Sequence, residues 1–267
     1  MGKFMGKPWW SVLLVVWFST AMAATEAVTV RVGGYAFPPY VDVDSQHQPF
    51  GLTLDLLALL NESQNQFRFE FVLTSPNRRF QDFAAGRFDA IVFEDSRWGW
   101  ANQMMEASPA FLRDGDRFVS GRKPERNQRY FAELGNKRIF AVRGYHYAFL
   151  DFQAEPGNSP LRVELLDPTS ASLDRGLQQI ASDHADLMIT TDSYLQYAFL
   201  QQPALRDRVL LAEKYDTEYA LGALVRKQQR FTAAHFDQLI HQLHDSGQLQ
   251  ALAARYGIAD KLLLTKP

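Results

Sequence analysis

The sequence predicts an α/β protein with two lobes, each built around a parallel sheet. Segments typical of strands and helices alternate from residue 28 to residue 93, which is the pattern of a parallel sheet covered by helices. The same alternation restarts at residue 138, and extended segments at residues 118–120 and 219–225 flank this second unit. These two segments predict a hinge of crossover strands that carry the chain into the second lobe and back.

The first lobe begins with a strand and a helix. Residues 28–32 (VTVRV) are rich in β-branched residues and indicate a strand. The leucines at positions 52, 56, 59 and 60 share one helical face and predict a helix over residues 52–60. The remaining predicted elements of this lobe are a strand over 67–73, a short helix over 78–85 and a strand over 88–93.

The second lobe repeats this order, and the chain then returns to the first. Its predicted elements are strands over 138–142, 161–166 and 187–190, a helix opened by Gly144 and a helix over 173–182. Two helices, over residues 231–246 and 249–256, end the chain. We therefore expect lobe one to comprise residues 24–119 and 216–267, and lobe two to comprise residues 120–215.

The N-terminus has the features of a cleavable export signal. Lys3 and Lys7 precede an apolar run over residues 9–18, and Ala21 and Ala23 supply the small residues before a cleavage site. The apolar run is shorter than the roughly 20 residues of a membrane-spanning helix. We expect residues 1–23 to be a signal peptide and the mature chain to be a soluble protein of the periplasm.

The composition excludes several classes of function. There is no cysteine, so disulfides, thiol nucleophiles, cysteine metal sites and a lipid-modified N-terminal cysteine are excluded. Acidic residues number 30 and basic residues 28, without a basic stripe, so no nucleic-acid partner is expected. Asp237, His241 and His244 share a helix face, but a solvated polar face is preferred over a zinc site. The sequence predicts a monomer with no cofactor and no metal.

Five segments, in order, carry a resemblance to a known family. They are residues 30–40 (VRVGGYAFPPY), Phe50-Gly51 with Asp55-Leu56, residues 86–90 (GRFDA), residues 108–111 (SPAF) and residues 247–257. Together they resemble the type 2 periplasmic solute-binding proteins of the polar amino-acid class, which feed ABC importers. The resemblance implies two lobes that close on a small ligand around a hinge. It also implies an ABC permease complex in the inner membrane as partner.

The position of the ligand follows from the predicted sheets. Ligands of open α/β sheets bind beyond the carboxyl ends of the strands. The candidates are therefore Tyr35, Phe37, Glu94 and Ser96 of lobe one, with Gly144, Tyr145, His146 and Asp192 of lobe two. Three of them have an alternative: Tyr35 and Phe37 would also suit loop packing against the helix at Leu52, and Asp192 would also suit a helix N-cap, where aspartate is favoured. The resemblance implies that Asp192 binds the ligand's amino group.

The loop after the third strand departs from the family. The resemblance implies a serine, a threonine and an arginine there, the arginine clamping the ligand carboxylate. In an ungapped register Ser96 matches the serine, whereas Trp98 replaces the threonine and Ala101 the arginine. Either Arg97 or Arg78 takes over the clamp, or the ligand lacks an α-carboxylate. Trp98 and Trp100, with Glu94 and Asp95, would suit a cationic or ring-bearing ligand; alternatively, both tryptophans pack between lobe and hinge. Arg78 alternatively pairs with Asp82 on the surface.

These observations predict a periplasmic solute-binding protein that captures an amino acid or a related small polar compound for an ABC importer. The protein is not expected to be an enzyme, because no nucleophile elbow, phosphate loop or strong metal motif is present. Two alternatives stay open. One is a periplasmic enzyme on the same fold, resembling cyclohexadienyl or prephenate dehydratase, with Glu94 as the acid. The other is a sensor module that reports ligand binding to a membrane receptor.

Overall fold

The computed structural model describes residues 1–2, 26–153, 156–157 and 159–264. The predicted signal peptide, apart from its first two residues, lies outside these ranges. Within them, no helix combines the length and the apolar character that crossing a membrane requires.

The described residues form twelve β-strands and seven α-helices. In chain order they are β1 (Val28–Gly34), β2 (Asp42–Val43), β3 (Pro49–Phe50), α1 (Leu52–Ser63), β4 (Phe67–Leu73), α2 (Arg79–Ala84), β5 (Ala90–Glu94), β6 (Met105–Ala107), β7 (Leu112–Gly121), β8 (Arg138–Val142), β9 (Arg162–Leu166), α3 (Ser170–Ala181), β10 (Leu187–Thr191), α4 (Asp192–Gln201), α5 (Pro203–Arg208), β11 (Val209–Leu211), β12 (Thr217–Arg226), α6 (Ala233–Asp245) and α7 (Gln248–Arg255).

The sheet has a parallel group of strands at each end and an antiparallel pair in the middle. Its order is β4-β1-β5-β12-β7-β10-β8-β9. Strand β1 pairs in parallel with β4 and β5, and β8 pairs in parallel with β9 and β10. The long strands β7 and β12 pair with each other in antiparallel fashion and join the two groups. The predicted α/β fold, with two crossover strands between two lobes, is confirmed.

Each lobe has its own hydrophobic core. The first core takes residues from 30 to 112 and from 219 to 258, with Leu56, Phe88 and Phe236 almost fully buried. The second core takes residues from 118 to 212, including Phe140 and Leu177. Strand β7 starts in the first core and ends in the second. The two cores follow the predicted division of the chain, whose boundaries near residues 119 and 215 stay a prediction.

The crossover strands approach each other closely at Gly115. A Cβ atom at this position would lie 2.6 Å from the carbonyl oxygen of Thr217 on β12, well inside van der Waals contact. Glycine therefore lets the backbones of β7 and β12 run side by side at the point where the chain passes between the lobes.

Two helix predictions need correction. Gly144 does not open an α-helix, because its backbone takes a left-handed φ of 80° and only a 3₁₀ turn, Ala148–Leu150, follows. The penultimate helix begins at Ala233 rather than at residue 231. The hydroxyl of Thr232 accepts a hydrogen bond from the backbone N–H of His235 at 3.2 Å and caps the helix there.

Candidate ligand-binding cleft

A cavity of about 530 Å³ opens where the two lobes and the crossover strands meet. The first lobe lines it with the loop after β1, the start of α2 and the loop after β5. The second lobe contributes the loop after β8, and the crossover strands contribute side chains from β7 and β12. Three of these loops follow the carboxyl ends of parallel strands, which is where ligands of α/β sheets bind.

Aromatic rings from both lobes meet around this cavity. Seven line it: Tyr35, Phe37, Phe80, Trp98, Tyr145, Phe152 and Tyr219. The ring of Phe37 lies 5.3 Å from Tyr145 of the second lobe, and 6.0 Å from Trp98, centroid to centroid. The Tyr145 hydroxyl also donates to the carbonyl of Ala36 at 3.3 Å. Phe37 is thus packed within its own loop and presented to the cleft at the same time.

Arg79, at the start of α2, supplies a guanidinium to the cavity wall. Its side chain is only 6% exposed, and its Nε donates to Glu94 Oε1 at 3.1 Å. Nη2 donates to the carbonyl of Trp98 at 3.2 Å, and Nη1 donates to the carbonyl of Pro76. The guanidinium carbon lies 4.2 Å from the ring centroid of Phe80. Arg79 is therefore held by the protein on every side except the one that faces the cavity.

Glu94 lies behind this wall rather than on it. Its carboxylate is buried and also accepts hydrogen bonds from the Tyr35 hydroxyl at 3.0 Å and from Trp100 Nε1 at 2.9 Å. Burial raises the pKa of Glu94, and the charge of Arg79 opposes that rise. Glu94 is not among the residues that line the large cavity. It orients Arg79 and Tyr35.

The prediction that Arg78 clamps the ligand does not match this geometry. The Arg78 side chain is 62% exposed and pairs with Asp82 at 3.5 Å on the surface, the alternative that the sequence left open. It does not line the cavity. Successive helical residues point about 100° apart. The start of α2 therefore turns Arg79 inward and leaves its neighbour in solvent.

Of the predicted site residues in the loop after β5, some line the cavity and one does not. Trp98 and Arg97 line the cavity, whereas Ser96 is exposed and does not. The Arg97 guanidinium pairs with Asp95, with Nη2 2.6 Å from Oδ2 and Nε 3.0 Å from both carboxylate oxygens. This pairing holds the pKa of Asp95 below its usual value against the effect of burial.

Asp192 is engaged inside the protein and does not reach the cavity. Its carboxylate accepts from Lys261 Nζ, from Arg117 Nη1 at 3.0 Å and from the Tyr215 hydroxyl at 3.0 Å. Burial works to raise the pKa of Asp192, but Lys261 and Arg117 outweigh it and hold the pKa below its usual value. Helix α4 is capped instead by the hydroxyl of Thr191. Lys261 thus binds the Asp192 carboxylate, which the resemblance had assigned to the amino group of a ligand.

The sequence interpretation missed Asp116 on β7. This carboxylate is 6% exposed and lines the cavity, as Tyr219 of the neighbouring strand β12 does. Burial raises its pKa well above the usual range, and the nearby carboxylates of Asp114 and Asp216 raise it further. The sequence signal that could have found Asp116 was its spacing of two residues from Asp114 in an extended segment, which puts both side chains on one face of the strand. The predicted crossover strand began two residues too late to include it.

Seven predicted residues therefore surround one cavity: Tyr35, Phe37, Arg97, Trp98, Gly144, Tyr145 and His146. Four others, Arg78, Glu94, Ser96 and Asp192, lie outside it. Over the described ranges, no group of three or more histidine, aspartate or glutamate side chains could hold a metal ion. His241 and Asp237 form only a surface pair at 3.8 Å.

Comparisons with known proteins give structural likeness without sequence matches. A search with protein-family models found no match, and neither did a search of curated protein sequences. A histidine kinase sensor domain described as similar to periplasmic binding proteins is 20% identical, with a TM-score of 0.61 over 86% of this chain and 96% of its own. The L-cystine solute receptor of Neisseria gonorrhoeae, unliganded and open, is 17% identical, with a TM-score of 0.57 over 88% and 95%. A histidine-bound substrate-binding protein of an ABC uptake transporter from Streptococcus pneumoniae is 13% identical, with a TM-score of 0.62 over 88% and 95%. The chain has the two-lobed fold of the type 2 periplasmic binding proteins.

Proposed function

We propose that this protein is a periplasmic solute-binding protein, which captures an amino acid or a related small polar compound between its lobes and delivers it to an ABC importer. The observation that carries the proposal is the cavity of about 530 Å³, lined by both lobes and by the strands that connect them. Its volume falls within the roughly 300–1,000 Å³ of small-molecule sites. A ligand there touches both lobes, so its binding free energy favours their closure.

The placement in the periplasm rests on the sequence and the fold. The predicted signal peptide would direct export, and the missing cysteine leaves no site for lipid attachment at the N-terminus. Two of the similar structures are a solute receptor and a substrate-binding protein of an uptake transporter. Their functions support transport here. We further propose that the partner is a membrane permease and that the binding protein acts as a monomer.

Catalysis has less support than binding. The dehydratase alternative needs a carboxylic acid that touches the substrate, and its candidate was Glu94. That carboxylate does not line the cavity and already accepts from Arg79, Tyr35 and Trp100. The sensor alternative has one specific observation in its favour, the likeness to a kinase sensor domain. It would use the same cleft and differ only in the membrane partner.

Two measurements test the proposal. In a thermal-shift screen of amino acids, amines and related small molecules, a ligand at 100 times its Kd should stabilise the protein by about 2.7 kcal/mol. In cells, deleting the gene should abolish uptake of that ligand, and the protein should appear in the periplasmic fraction. Unchanged uptake with an altered signalling response would favour the sensor. Conversion of the ligand by the purified protein would favour the enzyme.

A further inference from the structure

The charges around the cavity are not balanced. Its lining contains two arginines, one histidine and one aspartate. Arg79 is paired with Glu94, and Arg97 is paired with Asp95. Asp116 makes no ion pair with any lysine, arginine or histidine among the residues that the structure describes. The two arginines of the wall are thus already paired by the protein, and its one aspartate has no cationic partner among the described residues.

The neighbours of Asp116 do not supply the missing cation. Asp114 has Lys261 at 3.8 Å and accepts from the Tyr40 hydroxyl at 2.7 Å. Asp216 accepts from the backbone N–H groups of residues 148 and 149, at 2.7 and 3.1 Å. His146 also lines the cavity, and burial and the charge of Arg79 lower its pKa, which disfavours its cationic form. The Tyr219 hydroxyl acts to lower the pKa of Asp116 but carries no charge.

An aspartate buried without a counter-charge favours its neutral form, because a carboxylate loses its hydration in a low-dielectric site. A cationic ligand would supply the missing counter-charge and stabilise the carboxylate there. The walls near it also suit a cation, since Trp98 and Tyr219 form an edge-to-face pair 4.9 Å apart beside the cavity. Aromatic faces attract ammonium and guanidinium groups, most strongly where water is excluded.

We infer that the cavity binds an organic cation and that Asp116 holds its ammonium or guanidinium group against the rings of Trp98 and Tyr219. This inference rests on the proposed function and specifies its ligand class. Both arginines of the same walls are already paired with a carboxylate of the protein, Arg79 with Glu94 and Arg97 with Asp95. We therefore expect binding to require a net positive charge on the ligand and not to require a carboxylate.

Four probes separate these features. Agmatine carries a guanidinium and an amine but no carboxylate, and L-arginine carries all three groups. L-Citrulline replaces the guanidinium by a neutral urea of nearly the same shape, so its α-ammonium is balanced by its carboxylate and it has no net charge. L-Glutamate has an anionic side chain and a net negative charge. Calorimetry should show that agmatine and L-arginine bind at least tenfold more tightly than L-citrulline and L-glutamate.

The variant Asp116→Asn keeps the shape of the side chain and removes its charge. It should weaken binding of agmatine and L-arginine at least tenfold, since losing one partner of a buried charged pair costs well over one decade of affinity. Asp183→Asn is the matched control, because Asp183 pairs with Lys123 and Arg126 on the surface, away from the cavity. It should leave binding unchanged. Asp116→Glu retains the charge and should bind the cations more tightly than Asp116→Asn.

The outcomes separate this inference from the proposed function. Binding of L-citrulline or L-glutamate in preference to the two cationic probes would overturn the inference and leave the proposed function standing. Equal affinity of the cations for wild type and folded Asp116→Asn would remove Asp116 from the site. If Asp116→Asn does not fold, an Asp116→Glu protein with wild-type affinity and no preference for cations would overturn the assignment. If none of the four probes binds at about 1 mM but the thermal-shift screen finds another amino acid or related compound, the inference fails and the proposed function stands.

Discussion

Replacing Arg79 by methionine should destabilise the protein far more than the same change at Arg78, the residue beside it. Arg79 is 6% exposed and its partner Glu94 is 1% exposed, so the variant strands a carboxylate in the core. Removing one partner of a buried pair costs about 3–5 kcal/mol, because the remaining charge has lost its compensation. For a protein of this size each kcal/mol lowers Tm by about 2–4 °C, so the expected loss is about 6–20 °C.

The matched control separates burial from the loss of an arginine as such. Arg78 is 62% exposed, and exposed ion pairs contribute little to stability. Arg78→Met should therefore unfold at nearly the same temperature as wild type, and it should also leave ligand affinity unchanged. The double variant Arg79→Met/Glu94→Gln removes both charges and should recover part of the loss.

Scanning calorimetry and urea unfolding of the four proteins would measure these differences. The reasoning is refuted if Arg79→Met and Arg78→Met have the same stability. It is also refuted if the double variant is less stable than Arg79→Met alone, because the stranded Glu94 charge would then not be the cause.

Three further predictions concern the hinge and the core. The pKa of Asp116 in the folded protein is raised above its usual 3.8. The stability that this shift contributes is therefore fully present below pH 3.8 and is lost as the pH rises through the pKa of the folded state. Asp116→Asn should thus gain stability relative to wild type as pH increases, and a constant difference from pH 4 to pH 8 in urea titrations would contradict this. Lys261→Met removes one cationic partner of Asp192 and should lower the free energy of unfolding by about 3 kcal/mol in the same urea titrations. An unchanged free energy would mean that Lys261 contributes nothing to stability at the hinge. Gly33→Ala would place a Cβ 2.7 Å from a phenylalanine ring and should cost about 1–3 kcal/mol. Gly135→Ala, with no atom within 4 Å, is its control and should stay within about 0.5 kcal/mol of wild type.

The fold was predictable because its signals are local. Period-two alternation at β4 and the leucine stripe of α1 each fix an element and its buried face, and the restart of the pattern at residue 138 gives the second lobe. The loops at the carboxyl ends of the strands followed from that sheet. For this reason the sequence indicated the loops that carry Tyr35, Trp98 and Tyr145, which line the cavity. Their contact with a ligand stays a prediction.

The charged residues of the site were harder to predict because their roles depend on distant partners. Nothing near Asp192 in the sequence indicates that Lys261, 69 residues later, would reach its carboxylate. The choice between Arg78 and Arg79 depends on where α2 begins, and a shift of one residue turns a side chain from the cavity to solvent. Asp116 was missed because the predicted crossover strand, over residues 118–120, begins after it.

The most direct test of ligand capture in the cleft uses Trp98 as a reporter. It is half-buried on the cavity wall, whereas Trp100 is fully buried against Glu94, and no other tryptophan lies in the described part of the chain. Titration of the purified protein with the tightest-binding cationic probe should change the tryptophan emission saturably, with one site per chain and the Kd found by calorimetry. In Trp98→Phe the emission change should disappear. Heat of binding without any change in the emission of the wild-type protein would place the ligand elsewhere and contradict the account.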